Sequence, residues 1–148
     1  MRTASGDTLV LDASVAAKWF LPAAGEKFAD EALRLLHLHA TGELRFIVPD
    51  LFWPEFGNIL WKAVRQRRCS RAVAEAAVSS LRDRRFPTFS SLDFLVEAFT
   101  IAVNFDRTLY DAVYIALAIA ANSELVTADE RLVNAVAAYL PVKWLPVA

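Results

Sequence analysis

Short apolar runs, each followed by segments with helical spacing, recur along the whole chain, and this alternation narrows the possible folds more than any other feature. Thr8 to Leu11, Leu44 to Val48, Phe86 to Phe89, Glu124 to Thr127 and Val142 to Leu145 are too short for helices and read as buried strands. Between them fall segments predicted to be helical: Ala13 to Phe20, ended by Pro22; Glu26 to Ala40, with Phe28, Ala32, Leu35, Leu36 and Leu38 inward and Gly42 as its stop; and Asp50 to Arg67, where Pro54 is tolerable only in the first turn. Ser70 is placed to cap a helix reaching about Arg84, and Leu92 to Asn104, Leu109 to Ala121 and Asp129 to Tyr139 complete the set. Strands alternating with one or two helices imply a parallel sheet joined by right-handed crossovers. The expected fold is therefore α/β, a three-layer α/β/α arrangement around a central parallel sheet.

At 148 residues the chain is expected to form a single domain, residues 1–148, large enough to bury a core without staples. Its hydrophobic fraction of 56% exceeds the usual roughly 45–50% and hints at a surface that meets a partner. The longest apolar run, Ala112 to Ala121, falls short of the ~20 residues of a membrane span. Asp7 and Asp12 interrupt the early apolar stretch, so no signal peptide is read there. The lone Cys69 can form neither an intrachain disulfide nor a thiolate metal site, and is expected to be a free thiol in a reducing cytoplasm.

Four acids stand where the apolar runs meet helical segments. Asp12 follows Leu9-Val10-Leu11, Glu55 opens the helix after Val48-Pro49-Asp50, Asp111 begins Asp-Ala-Val-Tyr-Ile-Ala-Leu-Ala, and Asp129 follows Leu125-Val126-Thr127-Ala128. Ligands of parallel sheets bind at the carboxyl ends of the strands, and these are such positions. Singly, each acid has a structural explanation. Asp12 can cap the first helix, Thr127-Ala128-Asp129-Glu130 matches a capping box with Thr127 as cap, and Glu55 and Asp111 sit in first turns where negative charge suits the macrodipole. Helix capping does not explain the gathering of all four on one edge, where repulsion raises carboxylate pKa values unless a counter-charge arrives.

Hard divalent cations such as Mg²⁺ or Mn²⁺ supply that charge, binding carboxylate oxygens, waters and phosphates. In such sites they promote attack of water on a phosphodiester. No His/Cys cluster competes, since His37 and His39 are two apart on a helix and face different ways. Ser14, Asn58 and Thr127 are small polar residues beside the acids; each can support the site or make a local backbone hydrogen bond. From Lys62 to Arg85 eight Lys and Arg residues face only Glu75 and Asp83, in a chain of net charge −1. Within that stretch Arg82, Arg84 and Arg85 are candidates for holding RNA phosphates, with a solvated helical face as the alternative.

Together these segments resemble a PIN domain, and in particular a VapC-type toxin ribonuclease. The resemblance lies in Leu9 to Ser14 with Lys18 to Pro22, in Pro49 to Leu60 (PDLFWPEFGNIL), in Leu109 to Ala118 and in Leu125 to Asp129. It implies that Asp12, Glu55, Asp111 and Asp129 are catalytic, metal-binding acids supported by Ser14 and Thr127, using Mg²⁺ or Mn²⁺ to cut RNA. It also implies a homodimer and a cognate antitoxin protein that neutralises the activity.

Two other readings compete. An aspartate-nucleophile phosphatase would want a second acid two residues after Asp12, where Ser14 stands, and a lysine facing the site, for which Lys18 is the only early choice. A non-catalytic interaction module on the same fold differs only by an absent cleavage activity. On the helix over 50–67, Phe52, Phe56, Ile59 and Ala63 form one apolar face and Trp53, Leu60, Trp61 and Val64 a second. The second face is expected either to join the core or to meet a second copy or an antitoxin.

Overall fold

The computed structural model describes residues 7–148. Five strands, β1 (Asp7–Leu11), β2 (Leu44–Pro49), β3 (Thr88–Phe89), β4 (Glu124–Thr127) and β5 (Val142–Trp144), form one sheet in the order β3-β2-β1-β4-β5. Every pairing is parallel. Seven helices connect them: α1 (Ala13–Ala17), α2 (Ala29–Ala40), α3 (Phe52–Arg65), α4 (Arg71–Asp83), α5 (Leu95–Phe105), α6 (Leu109–Ala120) and α7 (Glu130–Val136). The expected parallel α/β/α arrangement is what forms.

Strand burial follows the reason parallel sheets read as continuous apolar runs: both faces are covered. Val10, Leu11, Phe46, Val48, Leu125 and Val126 are all buried. Helix α6 packs across β1, β2 and β4, with α5 against its other side. Seven consecutive residues, Ala112 to Ala118, are consequently buried, as expected of a helix that is apolar all round. Truncating Ile115, which is fully buried, to Ala would cost ~2–5 kcal/mol in lost transfer energy and cavity formation.

Several element ends differ from expectation for local reasons. Helix α3 begins at Phe52, because the Asp50 carboxylate instead accepts from the Ser91 backbone N–H (3.1 Å) and hydroxyl (3.3 Å). Pro54 falls in its first turn, where a missing N–H costs nothing. Helix α2 starts after Phe28, which takes a left-handed conformation (φ 61°), and the Phe28 ring packs edge-on to Trp144. Leu60 belongs to the buried face of α3 with Phe52, Phe56 and Ala63. Trp53 also turns inward: its ring stacks on Phe86 and its N–H donates to the Thr88 hydroxyl at 3.0 Å. Of the second apolar face only Trp61 is exposed, with Arg65 lying 5.0 Å over its ring. Among the described residues, no helix is long and apolar enough to cross a membrane.

Candidate active site

In a sheet ordered β3-β2-β1-β4-β5, successive connections leave β1 in opposite directions, so the reversal lies between β1 and β4. A crevice opens outside the carboxyl ends of such a strand pair. Leu11 pairs with Val126, which brings Asp12 and Thr127 to the rim together, and the Asp12 N–H donates to the Val126 carbonyl (3.2 Å). Thr127 is fully buried and joins two of the acids: its hydroxyl donates to Asp12 Oδ2 (2.6 Å) and accepts from the Asp129 N–H (3.1 Å).

Asp12 and Asp129 also cap helices. Asp12 Oδ1 accepts from the Ser14 N–H (3.4 Å) at the start of α1, and Asp129 Oδ1 accepts from Arg131 (3.0 Å) and Leu132 (3.2 Å) at the start of α7. The capping box expected from Thr127 does not form, because Thr127 is the last residue of β4 and Asp129 occupies the cap. A carboxylate offers about four lone-pair directions, so capping leaves oxygen capacity facing the crevice. Glu55 enters from the first turn of α3 and Asp111 from the first turn of α6, whose cap, Thr108, accepts from the Asp111 N–H (3.1 Å).

Burial and crowding raise Asp12, Glu55 and Asp111. Asp12 is pushed up chiefly by burial and further by Asp129, against the opposing hydrogen bonds from Thr127 and Ser14. Burial also dominates at Glu55, where the charges of Asp12 and Asp111 add to it and the carboxyl rises from 4.5 to about 7. Asp111 is raised by burial and then by Asp12 and Asp129, with Thr108 and Arg107 opposing. The Tyr114 hydroxyl faces Glu55 closely enough to lower its carboxyl against the burial, although neither Glu55 Oε1 nor the Tyr114 hydroxyl, both buried, makes a well-formed hydrogen bond. The Ser14 hydroxyl is likewise buried beside Asp12, where with the Ser14 N–H it opposes the rise of that carboxyl. Among the described residues no three His, Cys, Asp or Glu side chains are gathered tightly enough to hold an ion as they stand.

The structure separates the remaining candidates. Asn58 is exposed and makes no hydrogen bond to the acids; it lines a neighbouring cavity with Glu55. Arg82, Arg84 and Arg85 are exposed at the end of α4 and do not join the acids. Arg84 faces His39 in the last turn of α2, toward the amino-terminal side of the sheet, and Arg82 pairs with Asp83 (3.2 Å). The cations beside the acids are Arg107, whose charge acts on Asp111, and Lys62, which shares the Glu55 cavity. Lys18 is held in an ion pair with Glu26 (3.2 Å), which removes the lysine an aspartate-nucleophile reading needs. Tyr114 was not among the sequence candidates; its three-residue spacing from Asp111 on one helix face was the available signal.

The PIN domain family profile matches residues 9–138. The chain belongs to the PIN-domain family. A ribonuclease VapC3 from Pyrobaculum aerophilum is 30% identical over 127 residues, covering 84% of this chain and 91% of the relative. Among solved structures, PAE2754 from the same organism superposes with a TM-score of 0.69 at 23% identity, covering 98% of this chain and 94% of that one. A toxin–antitoxin complex from Klebsiella pneumoniae superposes with a TM-score of 0.58 at 18% identity, covering 91% and 95%. The resemblance read from the four acid-bearing segments is thus borne out for family and fold.

Proposed function

We propose that this PIN-domain chain is the toxin of a toxin–antitoxin pair: a single-domain, cytoplasmic endoribonuclease that hydrolyses RNA phosphodiester bonds with Mg²⁺ or Mn²⁺. Catalysis is assigned to Asp12, Glu55, Asp111 and Asp129. The observation that carries this reading is the electrostatic state of the crevice. Asp12, Glu55 and Asp111 are raised first by burial and then by neighbouring acids of the same crevice, with no cation among the described residues close enough to cancel the crowding. Hard oxygen donors at such a site fit a divalent cation and phosphate oxygens. The VapC3 relative, a ribonuclease by name, supports the same activity.

The protein's own groups have distinct roles. Thr127 locks the Asp12 carboxylate with a short hydrogen bond and fixes Asp129 through its backbone N–H, so two acids are positioned by one buried hydroxyl. Glu55 and Asp111 close the other side from two helix starts. A bound divalent ion would neutralise the crowded carboxylates and the phosphodiester and acidify an attacking water.

Two surfaces support partners. On α5 and the turn before it, Leu92, Val96, Phe99 and Val103 fall on one face and are 63–76% exposed; this stripe is assigned to homodimerisation. The groove between α3 and α4, lined by Leu60, Trp61, Ala74 and Val78, is assigned to the antitoxin. Incubating purified protein with RNA tests the central activity. Cleavage with Mn²⁺ that stops with chelator and in Asp12→Asn is expected; cleavage that survives both would overturn the assignment.

A further inference from the structure

A second cavity, about 540 Å³, opens directly beside the acid crevice and shares Glu55 as a wall. Its apolar walls come from Leu51, Pro54 and Ile59, on α3 and the turn before it. Tyr110 closes the far side. This residue stands immediately before Asp111 and is 66% exposed, which leaves its ring open to a stacking partner. Lys62 lies at the cavity as well and makes no ion pair among the described residues. Asn58 adds one amide that can both donate and accept.

This set of groups has the character of a nucleotide subsite. The volume falls in the range of ~300–1,000 Å³ common to small-ligand pockets. A neutral base tolerates the Glu55 wall, which would repel a bare phosphate, and every base offers a π-face to an exposed aromatic ring. A cation at the edge suits the phosphate attached to that base. We propose that this cavity receives one unpaired nucleotide of the RNA next to the bond that is cut, with its base stacked on Tyr110, its edge read by Asn58 and its phosphate held by Lys62. The inference rests on the ribonuclease reading and deepens it by naming the substrate feature: a flipped or single-stranded base at a fixed distance from the acids.

The test uses the full chain and a fluorescent single-stranded RNA, followed by anisotropy with Ca²⁺ in place of Mn²⁺. Ca²⁺ is a hard ion whose looser, longer oxygen coordination fills the carboxylate site without supplying the compact geometry that activates water. Tyr110→Phe should bind as the wild type does. Tyr110→Leu, which keeps apolar bulk but removes the ring, and Tyr110→Ala should each weaken binding by about 5-fold to 100-fold. Replacing the oligonucleotide bases one at a time by abasic positions should reveal one position at which wild type and Tyr110→Leu become equal. Binding by Tyr110→Leu within twofold of wild type would overturn the subsite, as would a loss that no abasic position removes. If the wild type cleaves RNA while either of those results is found, the subsite alone fails. If the wild type neither binds nor cleaves RNA, the ribonuclease reading fails and takes the subsite with it.

Discussion

Replacing Glu55 by Gln should stabilise the metal-free protein at mildly alkaline pH, although it removes an acid assigned to catalysis. The Glu55 carboxyl is raised from 4.5 to about 7, first by burial and then by Asp12 and Asp111. A shift of that size corresponds to about 3.4 kcal/mol if it were fully expressed as stability. Glu55 is only half-buried, so solvent screening reduces the expected figure to about 1–2 kcal/mol. Between about pH 4.5 and pH 7 the folded protein binds more protons at this site than the unfolded chain does, so stability falls as pH rises through that window. Glutamine cannot ionise and escapes the loss. At about pH 8 in chelator, Glu55→Gln should therefore melt about 3–6 °C above wild type, and at about pH 4 the two should converge. Adding Mn²⁺ should reverse the order, because a ligand stabilises only a fold that binds it. Equal melting temperatures at about pH 8, or a wild type that is the more stable of the two there, would show that the crevice does not penalise the Glu55 charge.

Further expectations follow from the same contacts. Thr127→Val removes a buried hydroxyl that serves Asp12 and Asp129; it should cost ~1–3 kcal/mol in denaturant unfolding and lower the cleavage rate. Asp12→Asn should keep the cap of α1 and lose cleavage, whereas Asp12→Ala should in addition lose ~0.5–2 kcal/mol in a thermal melt. Changing Arg82, Arg84 and Arg85 together to Ser should leave the salt dependence of RNA binding unchanged, since they stand away from the acids, while Lys62→Gln should reduce the slope by about one. Phe99→Glu on the exposed stripe of α5 should yield a monomer in sedimentation velocity with an unchanged melting curve at low concentration; a dimer that survives would remove α5 as the interface.

Much of this architecture was legible from chain order. Apolar runs marked the strands because a parallel sheet is buried on both faces. Asp12, Glu55 and Asp129 marked its carboxyl edge because each follows a strand or opens the helix after one, and Asp111 opens the helix that returns to β4. The same logic, carried further, would have put Arg82, Arg84 and Arg85 at the end of a helix that precedes β3, away from the carboxyl edge. The cap before α7 was ambiguous because Thr127 and Asp129 are both good caps two residues apart, and only the end of β4 decides between them. Helix α3 shows a different limit. Its two apolar flanks are both plain in the periodicity, but which of them the neighbouring helix α4 and Phe86 cover depends on tertiary contacts. On α5, nearly every position is apolar, so periodicity could not tell the inner residues Ala98 and Ile101 from the outer Val96, Phe99 and Val103. The cavity beside Tyr110 is likewise formed by two helix starts far apart in sequence.

The claim on which the rest depends is that four carboxylates form one divalent-cation site, and Mn²⁺ binding followed by calorimetry at about pH 6.5 in buffers of different ionisation enthalpy tests it most directly. With the Glu55 carboxyl raised to about 7, binding should displace a proton, so the heat should vary with the buffer. The same titration of Glu55→Gln should show weaker binding with that proton release lost, and Asp12→Asn should weaken binding as well. Mn²⁺ binding of unchanged affinity and proton release in both variants, or no binding to the wild type, would contradict the account.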